Sequence, residues 1–137
     1  MRPERLLVLL AWAQGAYYVA TGAWPMLHVD SFQWVTGPKT DVWLVRTVAV
    51  LVLAIGATLL LSAWRLRVGP EAVLLAVLSA LGLGALEVVY VLDGTLRPVY
   101  AADAAVEFLL VGAWLAAAWR AGRGWWAVNA QVRGRAS

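Results

Sequence analysis

Three carboxylates, Glu87, Asp103 and Glu107, stand in stretches otherwise apolar enough to lie in lipid. A charged side chain at the centre of a bilayer costs on the order of 2.5–3.5 kcal/mol on insertion scales, so such groups turn toward protein and carry a role there. Asp103 and Glu107 are four residues apart and share one helix face, along which Leu110 and Trp114 follow. Glu87 continues the row Ala76, Ala80, Gly84, whose small residues let membrane helices pack closely, and it is therefore expected to point at protein. Gln14, Tyr18 and Thr21 share a face at i, i+4 and i+7, Arg46 lies about one turn inside another apolar run, and Tyr90 is one turn from Glu87. At about 1.5 Å of rise per residue, Tyr18, Arg46, Glu87, Asp103 and Glu107 fall roughly 5–13 Å below one membrane surface, in one polar layer that Tyr90 can join. Seven residues form the expected ligand- or proton-binding site: Tyr18, Arg46, Glu87, Tyr90, Asp103, Glu107 and Trp114.

In that layer one arginine faces three carboxylates, a formal excess of −2 where there is little water. Either carboxylates take up protons or a cation fills the gap. The layer thus reads as a pocket for protons, for an inorganic cation, or for the cationic or hydrogen-bonding head of an amphipathic molecule. Glu87 and Asp103 would hold the ligand or proton, Arg46 would orient them, Glu107 would be the deeper acceptor, and Tyr18 and Tyr90 would supply hydroxyls. A plainer reading stands beside it, in which Arg46 bridges Glu87 and Asp103 and the network only joins helices. No residue is assigned a catalytic role.

The elements that position these groups follow from composition. The 137 residues are 63% hydrophobic with a mean hydropathy of +0.75, well above the roughly half-apolar average of soluble domains. The expectation is an all-α transmembrane four-helix bundle, a single integral membrane domain over 1–137 with spans at about 6–24, 43–63, 71–92 and 99–119. Ala11-Trp12-Ala13 has the form of a signal-peptidase site, but the apolar run continues past it and reads as a span. The segment 25–41 is too greasy for a solvated loop and is expected along the interface or over the bundle end, with Thr40 or Asp41 as the N-cap of the next span. Trp24, Trp34 and Trp43 at one surface, and Trp64, Trp119, Trp125 and Trp126 at the other, read as interfacial belts, and 120–137 as an interfacial basic tail.

Eight of the eleven basic residues fall on the side of the termini and of the 64–70 turn, giving that side a net +6 and the other −3. The positive-inside rule then places both termini in the cytoplasm. The absence of cysteine excludes disulfides, thiol redox chemistry and thiolate metal sites, and the single histidine, His28, excludes a haem held by two histidines of one chain. His28 with Asp30 lacks further ligands, so no metal and no cofactor is expected. Ten arginines against one lysine fit a GC-rich bacterium, hence the inner membrane. The expected partners are membrane lipids and a lipophilic or cationic small molecule, with a homo-oligomer or larger membrane complex left open and no nucleic acid. Three functions stay open: ligand binding coupled to protonation, an enzyme acting on a lipid-soluble substrate, and a non-catalytic subunit.

The stretches SFQWVTGPKTDVWLVRT (31–47) and RPVYAADAAVE (97–107) give the chain a resemblance to small four-span bacterial membrane proteins, DoxX-like in architecture. It is also similar, more faintly, to the sigma-2 receptor and sterol-isomerase superfamily, whose bundles hold amines or sterol-like cations with intramembrane acids and aromatics. That resemblance implies such parts for Glu87, Asp103, Glu107 and Trp114. The isomerases also use a membrane histidine, and no span here contains one.

Overall fold

The structure is a computed structural model that describes residues 2–134, and the side chains of residues 2–122. Among the described residues there are five helices: α1 (Pro3–Leu27), α2 (Val29–Thr36), α3 (Val42–Trp64), α4 (Pro70–Leu92) and α5 (Val99–Gly134). Four of them are long and apolar enough to cross a membrane, α5 through its Val99–Gly122 part. The chain is an all-α membrane protein built as a four-helix bundle, with α2 as a short fifth element. α5 is interrupted at Gly122, whose φ of 71° and ψ of −179° belong to a region that glycine adopts without strain.

Helices α1 and α3 form one tightly packed pair, α4 and α5 the other, and α1 against α5 joins the pairs. Small residues set the first contact. A Cβ on Gly56 would lie 2.9 Å from the carbonyl oxygen of Gly15 and 2.9 Å from the backbone nitrogen of Val19, and one on Gly22 would lie 2.8 Å from the carbonyl oxygen of Ala49. The two backbones are thus as close as hydrogen-sized side chains permit. Across the second contact Ala76, Ala80 and Gly84 are buried, and Glu87 continues their row into the interior, as its spacing predicts.

The half of the bundle nearer the termini is solid. Leu7, Ala11, Leu59, Ala63, Val73, Ala76, Trp114 and Ala117 pack there as one cluster. Ala11 is fully buried within continuous helix, so the apolar run does pass straight through Ala11-Trp12-Ala13. Arg2, Arg5, Arg65, Arg67 and Arg120 are all exposed at this end. The expected basic tail lies, from residue 123 on, outside the described side chains.

The other end, where α2 sits, is built differently. α1 runs on through Pro25 to Leu27, three residues beyond the expected span. The segment after it then folds into α2, a helix that the mixed composition of 25–41 concealed. His28 Nδ1 accepts from the Ser31 amide at 3.1 Å and caps it, a structural use for the single histidine. The following turn is latched by Lys39, whose amide donates to Gln33 Oε1 (2.8 Å) and whose ammonium donates to the Thr36 carbonyl (3.1 Å) while lying 5.0 Å from the centre of the Tyr100 ring. Arg97 donates to the Trp34 carbonyl at 3.2 Å and ties this segment to the α4–α5 turn. Burial, with the Arg97 guanidinium nearby, pushes the Lys39 ammonium below the usual lysine range. Asp41 is the N-cap residue of α3, through its backbone carbonyl and without a side-chain cap. The belt residues Trp24, Trp34, Trp43, Trp64 and Trp119 are exposed.

Candidate functional site

Between the solid half and the α2 segment the bundle holds a partly open cavity of about 710 Å³. Its polar wall comes from α1, α4 and α5. Because α1 and α5 run antiparallel, descending α1 from Tyr18 to Gln14 matches advancing along α5 from Glu107 to Trp114, and the polar residues meet in register. Tyr18 donates its hydroxyl to Glu107 Oε2 at 2.9 Å, and the neighbouring Tyr17 donates to Asp103 Oδ1. Both tyrosines line the cavity together with Glu87, Asp103 and Glu107. Glu107 is 2% exposed and Glu87 9%.

Glu87 lies against Asp103, with Glu107 close enough to add its field. Its Oε2 is fully buried and has no hydrogen-bond partner. The carboxyl it lies against, Asp103, donates only when it carries the proton. Two carboxyls held against each other need a proton or a cationic donor between them. The two tyrosines supply neutral donors to Asp103 and Glu107 and leave Glu87 without one.

The other charged or titratable groups facing the cavity are Lys39 and Asp41 in its roof, Tyr100 beneath Lys39, and Tyr90 at its edge. Tyr90 is 44% exposed, so it reaches the cavity as a rim residue and does not join the Tyr17–Tyr18 hydrogen-bonded layer. Among the described residues no group of three or more histidine, cysteine or acidic side chains is arranged to hold a metal ion.

Two expected members stand elsewhere. Arg46 is exposed and does not line the cavity. On α3 the buried seam runs through Ala49 and Gly56, and the cavity-facing residues Val45, Val48 and Val52 lie on one flank of it. At about 100° per residue, Arg46 falls roughly 60° to the opposite flank. The expected Arg46 bridge between Glu87 and Asp103 is therefore not formed, and the formal excess in the layer is −3 rather than −2. Trp114 is fully buried below the cavity floor, not in its wall. Its indole nitrogen donates to Gln14 Oε1 at 2.6 Å, and Gln14 Nε2 donates to the Ala76 carbonyl at 3.0 Å, so one amide pins α1, α4 and α5 together.

Sequence reasoning did not single out Tyr17, Tyr100 or Lys39. A Tyr-Tyr pair opposite two acids on one helix face was the available signal for Tyr17, since consecutive residues can each take one acid of such a pair. The geometry defines a cavity between the four long apolar helices that is acidic on one wall, roofed by Lys39, Asp41 and Tyr100, and largely apolar elsewhere. Comparison with family models, curated proteins and solved structures finds no match.

Proposed function

We propose that this chain is a multi-pass protein of the bacterial inner membrane, with both termini cytoplasmic, that binds the cationic head of a small lipophilic molecule in the cavity beside Glu87 and Asp103. The single observation that carries this reading is the buried Glu87 oxygen without a donor, in a largely apolar cavity large enough for a guest. An ammonium head supplies what that oxygen lacks: positive charge and several N–H donors, enough to bridge Glu87 and Asp103 at once. The largely apolar lining favours a cation that carries a hydrocarbon tail over a bare inorganic one. The exposed basic residues at the termini end support the cytoplasmic placement of that end.

When no amine is bound, a proton takes its place between the two carboxyls. Ligand and proton then compete, and amine binding weakens as pH falls. The test is equilibrium binding of a dansyl-tagged alkyl amine to the protein in lipid nanodiscs across pH, for the parent and for Glu87→Gln/Asp103→Asn. The amide pair is expected to fold and to lose both the binding and its pH dependence. A folded amide variant that binds as the parent does would refute the reading.

A further inference from the structure

We infer that the guest enters and leaves sideways, through the gap between α3 and α4, and is a membrane-dissolved amine that carries no phosphate. This inference rests on the binding reading above. The cavity has four sides to consider. Its floor is the close-packed cluster around Trp114 and Gln14. Its roof is α2 and the following turn, held by Lys39, Gln33, Arg97 and Tyr100. The α1 and α5 wall is buried: Tyr18, Gly22, Pro25 and Glu107 all lie below the surface.

The remaining side is open. α3 packs chiefly on α1 and α4 chiefly on α5, so the two consecutive helices touch little. Their cavity-lining residues Leu44, Val48, Leu86 and Tyr90 are 48%, 45%, 57% and 44% exposed. These four belong to the helices that are apolar enough to span, so the gap between them faces acyl chains rather than water. A guest taken from the bilayer needs no hydrated path, and an apolar tail can trail through this gap while the head sits at Glu87. An aminophospholipid offers the same ammonium, but its phosphate would follow within a few atoms into a layer of three carboxylates, and the cation that lines the cavity, Lys39, stands in the roof with its ammonium donating to the Thr36 carbonyl and set over the Tyr100 ring. Like-charge juxtaposition in a low dielectric opposes the phosphate.

The absence of cysteine and the apolar lining make tryptophan plugs the direct probe. Dansyl-tagged alkyl amines of increasing chain length are mixed with the protein in phosphatidylcholine nanodiscs, and association is followed by stopped-flow fluorescence. Association rates are expected to follow the amine concentration in the bilayer, and Val48→Trp and Leu86→Trp are expected to slow association roughly tenfold or more. Rates that follow aqueous concentration, or that neither tryptophan alters, would overturn lateral entry. Where far-UV circular dichroism shows that Val48→Trp does not fold, Leu44→Trp on the same edge replaces it. Adding phosphatidylethanolamine to the nanodisc is expected to leave bound amine in place, and displacement would overturn the phosphate-free assignment. Failure of the binding reading has its own signature: no amine binds the parent protein, or Glu87→Gln binds as well as the parent.

Discussion

Replacing Glu87 by glutamine should move stability and affinity in opposite directions. The substitution keeps shape and volume, and exchanges a carboxyl that meets Asp103 only by taking up a proton, with Oε2 left unpartnered, for an amide that donates to Asp103 without one. A buried polar group without its partner costs about 1–3 kcal/mol. Hydrogen bonds between membrane helices average nearer 0.6 kcal/mol, because the unfolded chain in a membrane also finds partners. A gain of about 1 kcal/mol is therefore expected. The amine loses a charge-assisted hydrogen bond of about 1.5–3 kcal/mol, which corresponds to a roughly 10–150-fold weaker Kd. Unfolding by SDS in mixed micelles, followed by far-UV circular dichroism, measures the first effect, and amine titration in nanodiscs measures the second. A group kept for function at a cost to the fold gives this pair of signs. If Glu87→Gln instead destabilises the protein and leaves amine affinity unchanged, Glu87 is a structural residue and the argument from its missing donor fails.

Three further outcomes follow from the packing. Gly56→Val forces the α1 and α3 backbones apart and should cost about 1–3 kcal/mol in the same unfolding assay, whereas Gly82→Ala, with nothing within 4 Å of the new methyl, should gain up to about 1 kcal/mol. In a double-mutant cycle, Gln14→Leu and Trp114→Phe should be less costly together than separately by about 0.6–1.7 kcal/mol, with additivity refuting the pin. The Thr95 hydroxyl and amide hold the Asp93 carboxyl below the usual aspartate range, so their contribution is present above that range and is lost as pH falls toward the lower folded-state value; hydrogen-exchange protection of the Thr95 amide, corrected for intrinsic rates, should drop on acidification and be pH-independent in Asp93→Asn.

Much of this architecture could be read from spacing alone. Ala76, Ala80, Gly84 and Glu87 repeat on one face, and burial follows the repeat because a membrane helix hides its small and polar residues against its neighbours. Asp103 and Glu107 share a face for the same reason. Depth could be counted, but rotation could not. Arg46 lies at the right height and on the wrong flank, and only the seam through Ala49 and Gly56 fixes which flank of α3 turns to the cavity. Trp114 aligns with the acids and passes one layer below them, because Gln14 is buried there and accepts its indole N–H. The α2 helix was hidden by length: eight residues give too little periodicity to distinguish a short interfacial helix from a greasy loop.

The antiparallel seam between α1 and α5 explains why one half of the bundle is solid and the other hollow. Near the termini the seam is a tryptophan and an amide that satisfy each other and the Ala76 carbonyl, and alanines on α3, α4 and α5 close around them. Toward α2 the same seam carries Tyr17 with Asp103 and Tyr18 with Glu107, each acid given one donor from α1. The third acid comes from α4, brought in by the small-residue row that precedes it, and α1 has no donor left to offer. In lipid a missing donor is not made good by water. Every other buried polar side chain of this seam has its partner within the chain. The place where that matching stops is also where the packing opens to about 710 Å³, and the proposed binding of a guest calls for both an unmet charge and room beside it.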